Sequence, residues 1–125
     1  MNDLGDARTR TWALRFMTLL AADPVDQLAW LGGQAVETGA VVEEVLLLCR
    51  VWEGLVARGA GEPGTLSDAE DIVRLLRDIA DVPHTGLWAD ELTTDPVWDD
   101  VRSPARRFLV TELGDWRQPL PPAGP

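Results

Sequence analysis

The sequence predicts an all-α fold, a single-domain irregular bundle of about five to seven helices around one central apolar helix. Signals for helix starts recur along the chain, and Ser67 and Glu70 have the spacing of a capping box. Three N-capping residues stand directly before prolines, which suit the first helical turn, at Asp23-Pro24, Asp95-Pro96 and Ser103-Pro104. A chain of 125 residues can bury one core, so we expect residues 1–118 to form one helical domain.

Residues 40–58 predict the central helix of this bundle. The segment is apolar most of the way round, which is typical of a helix that is buried on several sides. Leu47 falls toward its polar side, and Gly59 provides a stop. Cys49 lies mid-way along the segment, where a small buried thiol is the ordinary expectation.

Amphipathic helices are predicted over residues 7–22, from residue 24 onward and over residues 68–80. The second contains Gly32-Gly33, where the helix either ends or lets another helix approach closely. The expected inner faces are Trp12, Phe16, Leu19 and Leu20 in the first helix; Val25, Leu28, Ala29, Gly32, Ala35 and Val36 in the second; and Ile72, Leu75, Leu76 and Ile79 in the third.

The carboxyl-terminal third predicts shorter elements, namely helices at residues 86–92, 96–101 and 105–113. The last of these could instead be a strand, because its Phe-Leu-Val-Thr run is β-prone. The preceding Ser103-Pro104 favours a helix. Residues 119–125 are rich in proline and are expected to form a disordered tail.

Composition narrows the classes of function. The chain has 21 Asp and Glu against 11 basic residues, all of them Arg, and a net charge of −10. This balance argues against binding to nucleic acid or to anionic membranes, and no apolar run is long enough to span a bilayer. A single cysteine excludes an internal disulfide, so we expect a cytoplasmic protein. The lack of Lys and Tyr is typical of a high-GC, plausibly actinobacterial, genome.

No motif for catalysis or cofactor binding is present. The sequence has no glycine-rich phosphate loop, no His-Glu-x-x-His, no Cys-x-x-Cys and no Gly-x-Ser-x-Gly. A cysteine–histidine dyad would need Cys49, on the most apolar helix, to meet His84, the only histidine. We therefore predict no catalytic residue, no cofactor and no metal. The alternative is an oxygen-ligand metal site built from Asp95, Asp99 and Asp100.

The strongest functional lead is an acidic stretch at residues 78–101. It contains seven carboxylates, two tryptophans and the only histidine, without one Arg. Carboxylates beside large aromatic rings suit a surface that attracts and anchors a basic protein. The alternative is a solvated flank whose tryptophans turn inward. The residues predicted to bind a partner here are Trp88, Asp90, Glu91, Trp98, Asp99 and Asp100.

Trp30 is a second candidate for partner binding. If the second helix continues past Gly32, this ring points among polar residues and would be exposed, as binding anchors often are. If the helix ends at Gly32-Gly33, the ring is expected to pack on a neighbouring element instead.

These observations favour a protein–protein interaction module that binds a basic partner: an inhibitor, an immunity or antitoxin-like factor, or a regulatory adaptor. One alternative is an enzyme that depends on carboxylates or a metal. Another is a structural subunit completed by homodimerisation, for which the glycine-bearing second helix offers a close-contact face.

Overall fold

Six α-helices account for most of the part of the chain that the computed structural model describes, which is residues 3–32, 34–80, 86–118 and 120. No strand occurs in those ranges, and only an isolated antiparallel bridge joins Glu37 to Leu87. The predicted all-α bundle is confirmed. The helices are α1 (Asp3–Ala21), α2 (Pro24–Leu31), α3 (Thr38–Ala57), α4 (Thr65–Ala80), α5 (Trp88–Thr94) and α6 (Val97–Leu113).

The four long helices form the bundle, and the two short ones close one side of it. α6 packs along both α4 and α1, α4 packs against α3, and α3 also contacts α1. The short helices α2 and α5 pack against each other. α3 is deeply buried, as predicted, with Val45, Leu48 and Trp52 fully inside and Leu47 on its exposed side.

The side chain of Trp52 connects three parts of the core. Its indole Nε1 donates to Thr65 Oγ1 at 2.7 Å, and that hydroxyl donates to the Glu62 carbonyl at 2.6 Å. The ring also lies 4.8 Å from the ring of Phe108 on α6. Because Thr65 is held in this way, the turn before it is fixed and α4 begins there.

The predicted capping box at Ser67 is therefore wrong, because α4 starts at Thr65 and Ser67 already lies in its first turn. Asp68, the residue after it, bonds across the bundle, where its carboxylate accepts from Arg107 Nε at 3.0 Å. The capping-box pattern depends only on the spacing of neighbouring residues. The start of α4 depends instead on the hydrogen bond from Trp52 on α3 to Thr65.

The predicted break at Ser103-Pro104 is also wrong, because α6 is one continuous helix with Pro104 inside it. A proline removes one helical hydrogen bond, at a cost of about 3 kcal/mol in an isolated helix. Here Pro104 is buried beside Ala105 and Phe108, so it contributes to the packed face. The choice of helix over strand for residues 105–113 is confirmed.

At Asp95-Pro96 the predicted helix start is close to the observed one. The Asp95 carboxylate accepts from the Val97 backbone N–H at 3.0 Å, and α6 begins at Val97. The predicted tail at residues 119–125 lies outside the described residues, except for residue 120.

The side chain of Gln27, in the first turn of α2, reaches back to the end of α1. We call this region the α1–α2 corner (residues 19–27). The Gln27 amide Nε2 donates to the carbonyls of Leu19 at 2.9 Å and Leu20 at 3.1 Å. The last carbonyls of a helix have no partner within the helix. Gln27 supplies two of those partners, and only 1% of its surface is exposed.

Two arginines of α6 complete the same cap. Arg106 Nε donates to the Ala21 carbonyl at 2.9 Å, and Arg102 Nε donates to the Ala22 carbonyl at 3.2 Å. Their positive charge also suits the negative end of the α1 dipole. Four consecutive carbonyls at the end of α1 are thus satisfied by side chains from α2 and α6.

Arg102 is buried in this corner, with 5% of its surface exposed. Its guanidinium donates to Gln27 Oε1, at 2.7 Å from Nη2, and pairs with the carboxylate of Asp99. Burial lowers the pKa of Arg102, and the charge of Asp99 opposes that effect. The buried cation is therefore both neutralised and hydrogen-bonded.

The predicted inner face of the second helix is confirmed at Leu28 and Val36, which pack against the core, and is wrong at Val25, Ala29, Gly32 and Ala35, which are exposed. Val25 is 75% exposed, whereas Gln27 and Leu31 are buried. The need to cap α1 rotates the polar Gln27 inward, which an apolar pattern alone does not reveal. Gly32 ends α2 in the left-handed conformation with φ of 54°.

We expect Gln27→Ala to lower the free energy of unfolding by about 1–3 kcal/mol. The Leu20 carbonyl loses its side-chain partner, the Leu19 carbonyl keeps only the long bond from the Ala22 N–H at 3.4 Å, and the buried Arg102 loses one of its acceptors. Denaturant titration monitored by circular dichroism measures the change. Val25→Ala, on the exposed face of the same helix, is the matched control and should change it by less than about 0.5 kcal/mol. Equal effects of the two substitutions would contradict the role given to Gln27.

Candidate partner-binding surface

Trp88 and Trp98, both predicted to bind a partner, lie in the core. Their exposed fractions are 1% and 2%, and the two rings meet edge to face with centroids 5.7 Å apart. This contact joins α5 to the start of α6. The exposure on which the prediction of partner contact rested is wrong for both rings, because almost none of their surface is accessible. The alternative, in which both turn inward, describes the structure.

Two acids of the same stretch have structural partners. Asp99 pairs with the buried Arg102, and Asp95 caps the start of α6. Asp90 and Asp100 are exposed and make no ion pair within the described part of the chain, while Glu91 is half-buried. His84 and Asp81 lie outside the described residues.

The fold brings two arginine-free segments together, residues 16–49 and 78–101. The link is the Glu37–Leu87 bridge, in which the Trp88 N–H donates to the Val36 carbonyl at 2.8 Å. The Thr38 N–H donates to the Gly86 carbonyl at 3.1 Å on the other side of the bridge. The starts of α3 and α5 are thereby adjacent.

We give the name acidic face to the carboxylates that stand at the starts of α3, α5 and α6. Its carboxylates all stand at helix starts, where the positive end of the helix dipole reduces the cost of gathering like charges. Glu37 is the N-cap residue of α3, and the others lie in the first turns of α5 and α6. The members of the acidic face are Glu37, Asp90, Glu91, Asp99 and Asp100.

Among the described residues, the ion pairs of the arginines lie mostly between α1, the end of α3, α4, α6 and the α1–α2 corner. Six arginines are engaged in ion pairs among the described residues, and of these only Arg102 reaches an acid of the acidic face. The other pairs join Arg10 to Glu112, Arg58 to Asp6, Arg74 and Arg107 to Asp71, Arg107 to Asp68, and Arg106 to Asp23.

Glu37 is a member of the acidic face that the predicted surface, drawn from one acidic stretch, did not include. The signal that identifies it is the second arginine-free segment, residues 16–49, which is longer than the first. Only the fold shows that the two segments meet.

Trp30 lies at the end of α2, and the helix stops after it at Gly32, as one of the two alternatives had it. The ring is half-buried against the core and lines a groove of about 550 Å³. Because Gly32 follows α2 and does not lie within a helical contact face, the basis for the predicted glycine-mediated dimer is removed.

Trp12 and Phe16 also line that groove. Both were predicted to lie on the inner face of α1 with Leu19 and Leu20. The two leucines are fully buried, whereas Trp12 and Phe16 pack against the core but are only half-buried at its edge. The residues that fill the core from α1 are Ala13, Leu14, Met17, Leu19 and Leu20. The sequence did not predict the groove, because the large Trp12 and Phe16 gave a stronger apolar pattern than the fully buried side of α1, which includes the small Ala13.

Two features of the described residues bear on metal binding and on thiol chemistry. No group of three His, Cys, Asp or Glu side chains among them could hold a metal ion. Cys49 is 1% exposed, and burial, with a smaller contribution from Glu53, raises the pKa of its thiol to about 12. A thiol in that setting is a poor nucleophile because the reactive species is the thiolate. None of the described helices combines the length and apolarity needed to cross a membrane.

Comparison with known proteins found no relative: no family model matches the chain, and no curated protein and no solved structure matches it. The fold and its surfaces define the chain as a small acidic α-helical bundle. The acidic face and the groove are the two surface features that bear on its function.

We expect the free energy of unfolding to fall as the pH rises from about 9 toward 12, by about 1.4 kcal/mol per pH unit. The unfolded thiol, with an ordinary pKa of 9.0, loses its proton in this range, while the folded one keeps it up to a pKa of about 12. Because the chain has no Lys or Tyr, no other side chain ordinarily titrates in this window.

Denaturant titration at pH 8.5, 9.5 and 10.5 measures this slope, and Cys49→Ala is the control that should abolish it. At pH 8 the native thiol should also react with a thiol reagent at least about a thousandfold more slowly than the unfolded chain. Rapid labelling of the native protein would mean that Cys49 is accessible.

Proposed function

We propose that this protein is a small interaction module that binds a basic protein through the acidic face, in the role of an inhibitor, an immunity or antitoxin-like factor, or a regulatory adaptor. One observation carries the proposal. The acidic face is assembled from two arginine-free segments, while most arginines of the described chain are engaged in ion pairs on other surfaces. The cations that complement its exposed acids are supplied by a partner.

The chemistry of the face suits recognition by charge. Asp90, Asp100 and Glu37 are exposed, so their field reaches into solvent and can steer a basic protein toward the surface. Exposed charges of this kind raise the association rate and select the partner more than they increase affinity. Asp99 contributes less, because it already faces the Arg102 guanidinium.

The rest of the molecule agrees with this role. The net charge of −10 disfavours phosphate-rich partners and favours cationic ones. We propose a cytoplasmic location, since the single cysteine is a buried thiol and no disulfide holds the fold together.

The proposal is tested with an array of random peptides probed with the labelled protein. We expect the bound sequences to be enriched in Arg and Lys, and their affinity to fall as salt rises. The best peptide then serves as the probe for variants. Glu37→Gln/Asp90→Asn/Asp100→Asn should weaken its binding about tenfold, since each exposed charge contributes a few tenths of a kcal/mol or more.

The matched control removes three charges from another surface, with Glu53→Gln/Glu70→Gln/Asp78→Asn on α3 and α4. These side chains are exposed and lie near Arg74 and Arg77. This control should bind the probe within about twofold of the wild type. If both triple variants lose the same affinity, the attraction is a property of net charge and not of the acidic face. Peptides without an excess of basic residues would argue against the proposal altogether.

A further inference from the structure

The apolar groove beside Trp30 extends beyond the surface described so far. Its first half, of about 550 Å³, lies along α1 and is lined by Trp12 among others. A second half of about 200 Å³ continues toward the start of α3. Phe16, Leu19 and Trp30 line both halves, so the two form one continuous channel with an aromatic middle.

The charges at the two ends of this channel have opposite sign. Arg8 and Arg15 line the first half, and neither makes an ion pair with a described residue. The second half is lined by Glu44, which likewise has no ion pair within the described ranges. An occupant that satisfies both ends needs an acidic group for the arginines and a basic group for the glutamate.

We propose that this channel is the contact surface between two copies of the chain, related by a two-fold axis that passes through its shared aromatic middle. A two-fold interface places the same patch on both sides, so it must be self-complementary. With the axis at Phe16, Leu19 and Trp30, the arginine half of each copy faces the glutamate half of the other. Both ends are then paired, and the aromatic rings of the two copies meet at the centre.

The composition of the channel fits an interface of this type. Aromatic residues and Arg are enriched in the cores of protein interfaces. Arg8 and Arg15 form a basic site, whereas the chain as a whole has a net charge of −10. A second copy of the chain is therefore a suitable acidic partner for these arginines. The acidic face that binds a basic partner is not required for this contact.

The oligomeric state in sedimentation equilibrium tests the proposal. We expect the wild type to dimerise in the range from about 1 μM to 500 μM. Arg15→Glu alone, and Glu44→Arg alone, each turn two attractive contacts of the symmetric dimer into repulsive ones. Each should raise the dissociation constant about tenfold.

The decisive experiment mixes the two single variants, Arg15→Glu and Glu44→Arg. In a mixed dimer the two introduced side chains face each other with opposite charges, and the Arg15 that remains in one copy faces the Glu44 that remains in the other. The mixture should therefore recover an affinity within about threefold of the wild type. The double variant Arg15→Glu/Glu44→Arg should recover it as well. Arg50→Glu and Glu43→Arg are exposed controls with the same charge changes, outside the channel lining, and should dimerise as the wild type does.

A wild type that stays monomeric at about 500 μM would overturn the proposal. So would a mixture that dimerises no better than either variant alone, because the charges would then not face each other across a two-fold axis. Peptide binding by the acidic face is measured separately, and its failure would leave the dimer intact.

Discussion

The cap at the end of α1 is the interaction on which the arrangement of the other helices depends. Four successive carbonyls are satisfied by Gln27, Arg102 and Arg106, so one helix end fixes both the direction of α2 and the position of α6 along α1. A buried guanidinium is costly unless it is neutralised and hydrogen-bonded. Asp99 supplies the neutralising charge, and its ion pair with Arg102 links the acidic stretch to the core.

The surface charge follows from how the arginines are used. Most are engaged in ion pairs that hold α1, α4 and α6 together, which leaves the side made by the starts of α3 and α5 without arginines of its own. The acids there stand at helix starts, where the helix dipole makes their concentration tolerable. Charge separation between the two sides of the bundle is thus a consequence of the packing, and the acidic face depends on it.

The sequence predicted the fold class and the buried α3, because both depend on patterns that are local to a segment. It mispredicted positions that depend on distant partners. Ser67 has a good capping pattern, yet Thr65 starts α4 because Trp52 donates to it. Pro104 sits inside α6 since the helix gains a packed face, and Val25 is exposed since Gln27 must reach α1. Of the predicted site, the exposed acids remain and the buried Trp88 and Trp98 do not.

The same cap also bears on the order in which the chain folds. The bonds that its two arginines make join residues separated by 75 to 85 positions, from Gln27 to Arg102 and from Ala21 to Arg106. Contacts of such long range form late, because a large loop must close before they contribute. During synthesis the carboxyl end of α1 therefore has only the half of its cap that Gln27 supplies, and the other half forms once α6 has been made. In this bundle the sixth helix completes the cap of the first.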